Sequence, residues 1–152
     1  MLKGYILQVY DASRMMVLII SSTLRGPLIL NLSNTVFYDP EGNLSSFDIL
    51  TQYQAIEVEV DDMMTLSLPP ITNAKTLVVI KDAYHLEGIL KMIDERYILE
   101  TVEMGNVWLN MDEDTYAVNL DELVDEAVVV IYSGAMTRSI PPQIFVNALV
   151  GK

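Results

Sequence analysis

The residues of this chain that could do chemistry are few, and the densest group is the acidic segment NMDEDTYAVNLD at 110–121. Its oxygen-bearing side chains fall at positions 1, 3, 5 and 12 of a calcium-loop pattern, and such ligands suit a hard cation. These residues are Asn110, Asp112, Asp114 and Asp121. The pattern fails because Thr115 stands where the loop needs glycine and because the last ligand is aspartate, not the longer glutamate. A solvated acidic turn is the preferred interpretation, and no metal site is predicted.

Catalytic groups are equally sparse. The chain has no cysteine and one histidine, His85, which lies near the middle of the chain at a presumed junction. It has no glycine-rich phosphate loop, no HExxH motif and no dinucleotide fingerprint. The adjacent carboxylates Asp61 and Asp62 would point to opposite faces of a strand and could not share a proton. The sequence therefore predicts no catalytic residue, no cofactor and no enzymatic activity.

One motif occurs twice. MTLSLPP at 64–70 returns as MTRSIPP at 136–142. Aligning 64–79 with 136–151 gives seven identities in sixteen positions, where unrelated segments would give roughly one. Further landmarks recur in the same order, with Gly4 matching Gly88 and Thr35 matching Thr115. An ordered series of matches indicates a tandem repeat, with units at 1–81 and 84–152.

Each unit reads as short strands separated by turn residues. Tyr, Ile, Val and Leu dominate the strands, as pleated, half-buried surfaces prefer. The predicted strands are 4–10, 15–22, 28–32, 55–61 and 75–80 in the first unit, and 88–93, 97–102, 107–111, 127–133 and 147–151 in the second. Short helices are predicted at 45–53 and 119–127, the second with Asn119 as its N-cap and Glu122 three residues on. The extra length of the first unit is predicted to be mostly a loop at 37–48.

Five strands with a short helix between the third and fourth follow the order of an OB-type barrel. The predicted fold class is all-β with short helices, arranged as two tandem five-stranded OB-like β-barrels. A sandwich and an open meander remain alternatives.

The second unit also resembles a known group of domains. Its motif begins with Gly88 and Thr115 and continues as Tyr-x-Gly-x-x-Thr-x-Ser-x-Pro-Pro-Gln from Tyr132 to Gln143. These residues are similar to small OB-like domains of Gram-positive bacteria, often found on secreted proteins or lipoproteins. The first unit departs from the motif, with Asp62 in place of Gly134 and Ile71 in place of Gln143. The resemblance implies a fold and a bacterial envelope setting, and it implies no activity.

The repeated Ser-x-Pro-Pro stretch joins the fourth and fifth strands. Two prolines fix the backbone and remove two donors, so the stretch suits a rigid corner and not the middle of a sheet. In OB folds the same loop lies at the rim where ligands bind. The predicted rim of the second unit carries an aromatic, amide and guanidinium set suited to an oligosaccharide or a peptide: Trp108, Tyr132, Arg138, Ser139 and Gln143.

Charge limits the partners. The formal net charge is −12, of which residues 82–152 carry −9. Such a field repels phosphate backbones and anionic lipid, so neither nucleic acid binding nor membrane insertion is predicted. The uncharged strand AVVVIYS at 127–133 should be covered on both faces, by a contact between the barrels, by a partner or by the preceding helix.

These patterns predict a non-enzymatic protein-interaction or structural module that binds a protein partner or self-associates. An oligosaccharide- or peptide-binding module using the rim of the second unit is the alternative.

The N-terminal apolar run is broken by Gln8 and Asp11 and is too short for a signal peptide or a membrane span. The chain as written is therefore expected in the cytoplasm, or outside the cell or at the envelope if a leader was removed.

Overall fold

The chain folds as two compact units, Met1–Asp82 and Ala83–Lys152. The computed structural model describes all 152 residues, of which 57% lie in strands and 5% in helices. This composition confirms the all-β class with short helices. The two boundaries predicted from the repeat, 81 and 84, each lie one residue from the observed division.

The first unit contains a closed five-stranded barrel. The strands of this unit are β1 (Leu2–Asp11), β2 (Arg14–Ile20), β3 (Arg25–Asn31), β4 (Val36–Tyr38), β5 (Leu44–Ser45), β6 (Gln54–Val60) and β7 (Ile71–Asp82). The barrel is formed by β1, β2, β3, β6 and β7. The order in the sheet is β3-β2-β1-β6-β7-β4-β5, and a parallel pairing of β3 with β7 closes the ring. Closure removes the exposed strand edges that such apolar strands would otherwise present.

The second unit repeats this order of pairings. Its elements are β8 (Tyr84–Ile93), β9 (Arg96–Thr101), β10 (Gly105–Asn110), β11 (Tyr116–Ala117), the helix α1 (Leu120–Leu123), β12 (Ala127–Tyr132) and β13 (Gln143–Gly151). The strands follow the order β10-β9-β8-β12-β13-β11, and β10 also pairs in parallel with β13. The third strand of each unit thus lies beside the last one.

Alternating side chains build each core. In β6, Ile56 and Val58 are buried while Glu59 faces solvent, as the alternating sequence predicts. In β12 every residue from Val128 to Tyr132 is buried, so the uncharged strand is indeed covered on both faces. The core of the second unit brings together Leu90, Leu99, Val107, Leu109, Val128, Val130, Tyr132, Ile144, Val146 and Leu149.

Gly4 and Gly88 perform the same task in the two units. A Cβ atom built on Gly88 would lie 2.5 Å from the carbonyl oxygen of Glu100 on β9. A Cβ atom on Gly4 would overlap the carbonyl oxygen of Leu18 on β2. Both strands therefore approach their neighbours at a distance that only glycine permits.

The two predicted helices are much shorter than expected. The segment 45–53 contains only a 3-10 helix at Phe47–Ile49, and 119–127 contains the single turn α1. Asn119 is not a side-chain cap: its φ is 58° and it makes no capping hydrogen bond. One turn gains few backbone hydrogen bonds against a large ordering cost, so tertiary contacts and not propensity hold these segments. Neither has the length and apolar character that crossing a membrane as a helix requires.

The predicted loop at 37–48 is wrong in part, because it contains a small hairpin. Strands β4 and β5 pair at Phe37–Ser45 and Tyr38–Leu44. The Asp39 carboxylate accepts hydrogen bonds from the backbone N–H groups of Glu41 and Asn43 at 3.0 and 2.8 Å and closes the turn. The hairpin extends the sheet of the first unit beyond β7, and the second unit has the single short strand β11 in the corresponding place.

Candidate ligand-binding face on the second unit

The Pro-Pro stretch of the second unit forms a corner held by its own side chains. The Ser139 hydroxyl donates to the Pro141 carbonyl oxygen at 2.9 Å and lies 2.7 Å from the Thr137 hydroxyl. The Thr137 oxygen accepts from the Gln143 backbone N–H at 2.8 Å. The backbone N–H of Trp108 donates to the Pro142 carbonyl oxygen at 2.9 Å, which fastens the corner to β10.

The first unit builds its corner with the same contacts. Ser67 donates to the Pro69 carbonyl at 3.0 Å, and Thr65 accepts from the Ile71 backbone N–H at 2.9 Å. The peptide bonds Leu68–Pro69 and Ile140–Pro141 are both cis. The seven repeated letters thus specify one local structure, which is why they recur.

Of the five predicted rim residues, four lie at the surface and one, Tyr132, lies in the core. Arg138 is exposed on the loop, Ser139 belongs to the corner, and Gln143 begins β13. Tyr132 instead packs in the core with 8% of its surface exposed, and its ring centroid lies 5.9 Å from that of Tyr84. Tyr132 therefore has no place on a ligand-binding surface.

Trp108 lies on the outer face of the sheet because β10 alternates. Val107 and Leu109 enter the core, which turns Trp108 and Asn110 outward. Across the parallel pairing, Trp108 is opposite Gln143 and Asn110 is opposite Phe145. Phe145 is 44% exposed. We call the surface formed by Arg96, Trp108, Asn110, Gln143 and Phe145 the Trp108 face.

A chain of contacts orders this face. The guanidinium carbon of Arg96 lies 4.3 Å from the centroid of the Trp108 ring, a cation–π contact. Arg96 Nη2 donates to Asn110 Oδ1 at 3.2 Å, and Asn110 Nδ2 donates to Gln143 Oε1 at 3.1 Å. Arg96 and Asn110 were not among the residues predicted from the sequence.

The ion pairs of the chain leave Arg96 out. The pairs are Lys75–Asp61 at 3.9 Å, Lys91–Asp125 at 2.8 Å and Lys152–Glu87 at 2.9 Å. The Asp125 carboxylate raises the pKa of the Lys91 ammonium group. In an acidic unit, Arg96 is thus an exposed cation held by an aromatic ring and an amide, with no carboxylate within ion-pair distance.

The first unit lacks this arrangement. Ile29 and Ile71 occupy the positions that Trp108 and Gln143 hold in the second unit. Arg14 lies opposite Asn31 there, but no aromatic ring is available to stack on its guanidinium. The face is therefore a property of the second unit alone.

The oxygen-bearing side chains of the acidic segment at 110–121 make separate hydrogen bonds within the protein. Asp112 accepts from the Asp114 backbone N–H at 2.8 Å, and Asp121 accepts from the Tyr97 hydroxyl at 3.3 Å. Asn110 contributes to the Trp108 face instead. No group of three or more His, Cys, Asp or Glu side chains converges in a way that could hold a metal ion.

His85 is the one remaining candidate for acid–base chemistry. It lies in β8 opposite Ile131, and it lines a cavity of about 270 Å³ together with Thr101 and Glu103. The Thr101 hydroxyl donates to the Gly105 carbonyl at 2.8 Å and accepts from the Met104 N–H at 3.0 Å. That hydroxyl is committed to the β9–β10 turn and is not poised as a nucleophile.

Burial gives Tyr132 a measurable pH dependence. Desolvation, with a smaller contribution from Tyr84, raises the pKa of the Tyr132 hydroxyl. Above pH about 10 the unfolded chain loses this proton while the native chain retains it, so the free energy of unfolding falls as pH rises. We expect Tyr132→Phe to reduce that alkaline loss in urea melts between pH 8 and 11. Tyr10→Phe, which removes an exposed tyrosine, is the control variant.

No protein-family model matches the chain, and no curated protein matches it. The resemblance to OB-like domains of Gram-positive bacteria therefore stays a prediction.

Proposed function

We propose that this chain is a non-enzymatic binding module that docks a protein partner on the Trp108 face. One observation carries the proposal: the guanidinium of Arg96 lies over the Trp108 ring on the outer face of the sheet. Trp and Arg are enriched among the few residues that dominate the binding energy of protein interfaces. The exposed ring of Phe145 beside them extends the apolar part of this surface.

We also infer that the two units are OB-type domains related by duplication. Support comes from the shared strand order, the parallel pairing of the third strand with the last, and the matching corners. The face then lies on the second and third strands, near the loop joining the last two strands, where OB folds bind their ligands. The first unit has Ile29 where the second has Trp108, which supports a binding role for the second unit and a structural role for the first.

Charge supports a protein partner over other macromolecules. Single-stranded nucleic acid requires a basic groove with stacking aromatics, and the second unit carries four Lys and Arg against twelve Asp and Glu. The same excess opposes anionic membrane surfaces. Self-association is the remaining form of protein binding, and light scattering over a concentration series tests it directly.

The second candidate is an oligosaccharide, and it rests on the set of Trp108, Asn110 and Gln143 side chains. Amides can bond to sugar hydroxyls, and an indole ring can stack on a sugar ring. The guanidinium of Arg96, however, covers the ring face that a sugar would need. Arg96→Ala should uncover the ring, so this candidate requires the variant to bind neutral oligosaccharides more tightly than the unmodified chain does.

The docking proposal is tested by capture from envelope and cytosolic fractions of the source organism. The baits are the unmodified chain, Trp108→Ala and, as the matched control, Ile29→Ala at the corresponding position of the first unit. We expect one partner to be captured by the unmodified chain and the control and to be lost with Trp108→Ala. Equal capture by all three baits would place the interface elsewhere and contradict the proposal.

A further inference from the structure

We propose that Arg96 is a preorganised receptor for a single carboxylate, and that the Trp108 face binds a peptide segment in which Asp or Glu lies beside an apolar side chain. The inference rests on the proposed function and specifies its ligand. It concerns the free guanidinium edge, a feature that the residue types alone did not indicate.

Arg96 is held in place before any ligand arrives. A free arginine side chain loses much rotamer entropy when it binds, whereas one already fixed loses little. The contact with the Trp108 ring and the hydrogen bond to Asn110 together restrain the position of the guanidinium. Gln143 orients Asn110 in turn, and the Thr137 oxygen anchors the Gln143 backbone. Asn110 and Gln143 are therefore positioning residues for Arg96.

The donors left over match a carboxylate. A guanidinium has five N–H donors in one plane, and Arg96 uses one of them on Asn110. The remaining donors have no acceptor within the protein, and no carboxylate lies within ion-pair distance. Two parallel N–H donors at one edge of the guanidinium bind the two oxygens of a carboxylate, which adds geometric specificity as well as energy.

The surrounding charge selects for a single negative group. Asp94 and Glu95 immediately precede Arg96, and Glu100 follows on the same strand, yet none lies within ion-pair distance of it. The receptor thus stays open in an acidic environment. A ligand carrying one carboxylate gains the bidentate bond, while a polyanion meets repulsion from these three side chains. This argues against nucleic acid and against polyuronic saccharides.

The neighbouring surface favours a peptide. Phe145 lies opposite Asn110 in the strand register, is 44% exposed, and offers an apolar contact next to the receptor. In an extended peptide, an Asp or Glu two residues from a Leu or Ile would place a carboxylate and an apolar group on the same side, toward these two points. A saccharide would need the face of the indole ring that the Arg96 guanidinium covers.

Trp108 is the only tryptophan of the chain and lies beneath Arg96, so its fluorescence reports directly on this site. The probes are acetyl-Gly-Ser-Glu-Ser-Leu-Gly-amide and the same peptide with Gln in place of Glu. At low salt we expect the Glu peptide to bind about tenfold more tightly, as a charge-assisted bidentate bond implies. The preference should weaken as ionic strength rises.

Variants distinguish binding by the Arg96 guanidinium from a general effect of positive charge. Arg96→Gln should abolish the Glu preference, and Arg96→Lys, which keeps the charge but not the fork, should lose most of it. Asn110→Ala should reduce the preference about threefold through lost orientation, roughly the effect of one weak hydrogen bond. Arg14→Gln, at the corresponding position of the first unit, is the control and should change nothing.

Equal affinity for the Glu and Gln peptides would overturn the carboxylate receptor. So would a preference for a glucuronic acid oligosaccharide or for oligo-dT over the Glu peptide. If the captured partner is lost with Trp108→Ala but the Glu preference is missing, the docking proposal stands and the receptor fails. If the Glu peptide is preferred but Trp108→Ala captures the same partner as the unmodified chain, the docking proposal fails.

Discussion

Replacing Gly88 by alanine is expected to lower the free energy of unfolding of the second unit by about 3 kcal/mol, the range of severe overpacking. The new Cβ would lie 2.5 Å from the Glu100 carbonyl oxygen and 3.0 Å from its carbon. Both atoms belong to the backbone of β9, so no rotamer change can relieve the overlap. Strands β8 and β9 would have to separate at the point where Ile89 pairs with Glu100.

Gly4→Ala provides the parallel experiment in the first unit, where the overlap is with Leu18 on β2. The control is Gly151→Ala, whose Cβ would meet only the movable Leu123 Cδ2 atom at 3.2 Å, and we expect it to cost less than about 1 kcal/mol. Urea denaturation measures all three, with Trp108 fluorescence reporting on the second unit and circular dichroism on the whole chain. A Gly88→Ala variant as stable as Gly151→Ala would show that the close approach is absent.

Thr137→Val is expected to destabilise the second unit by about 1 kcal/mol, the net value of a hydrogen bond at a site that solvent can reach. The Thr137 hydroxyl is the centre of the corner, since it accepts from the Gln143 backbone N–H and contacts the Ser139 hydroxyl. Valine has the same shape without the oxygen. Because Gln143 orients Asn110, the variant should also weaken binding of the Glu peptide at Arg96.

Thr65→Val should have the same effect on the first unit, where the hydroxyl accepts from the Ile71 N–H at 2.9 Å. Thr76→Val is the matched control, because its hydroxyl reaches Glu59 only at 3.5 Å. Urea melts again give the comparison. Similar stabilities for Thr65→Val, Thr137→Val and the control would mean that the prolines hold the corner without the threonine.

The strands and the corner were predictable because their signals are local. Alternation in AIEVEV and the apolar run of β12 gave both the strands and their burial. The repeated Thr-x-Ser-x-Pro-Pro gave the corner, since its hydrogen bonds join residues at most six positions apart.

The helices were not predictable because their sequence signals compete with tertiary contacts. In the first unit, the Gln54 side chain bonds to the Thr51 N–H and the Ile49 carbonyl, so the chain leaves the helical path after one turn. Asn119 has the residue type of a cap but takes a left-handed backbone conformation. The hairpin of β4 and β5 was hidden in a stretch rich in turn residues, where its two short strands carry little alternation.

The candidate site could be only half predicted. Trp108 and Gln143 stood out by residue type, but Arg96 and Asn110 join them only through the register of β9, β10 and β13. The pairing of β10 with β13 joins segments about 35 residues apart, and no local pattern fixes it. Tyr132 illustrates the reverse case, because its type suited a binding surface while strand parity with Val128 and Val130 placed it in the core.

The uncharged strand β12 has a consequence for the unfolded chain. AVVVIY combines high β-propensity with no charge and no proline, the composition of segments that form intermolecular β-aggregates. In the native unit, β8 and β13 satisfy both of its edges. The corresponding strand of the first unit, β6, carries Glu57 and Glu59, whose charges oppose pairing with strands of other chains. Heating that unfolds the second unit should therefore expose β12 and promote irreversible aggregation of the chain.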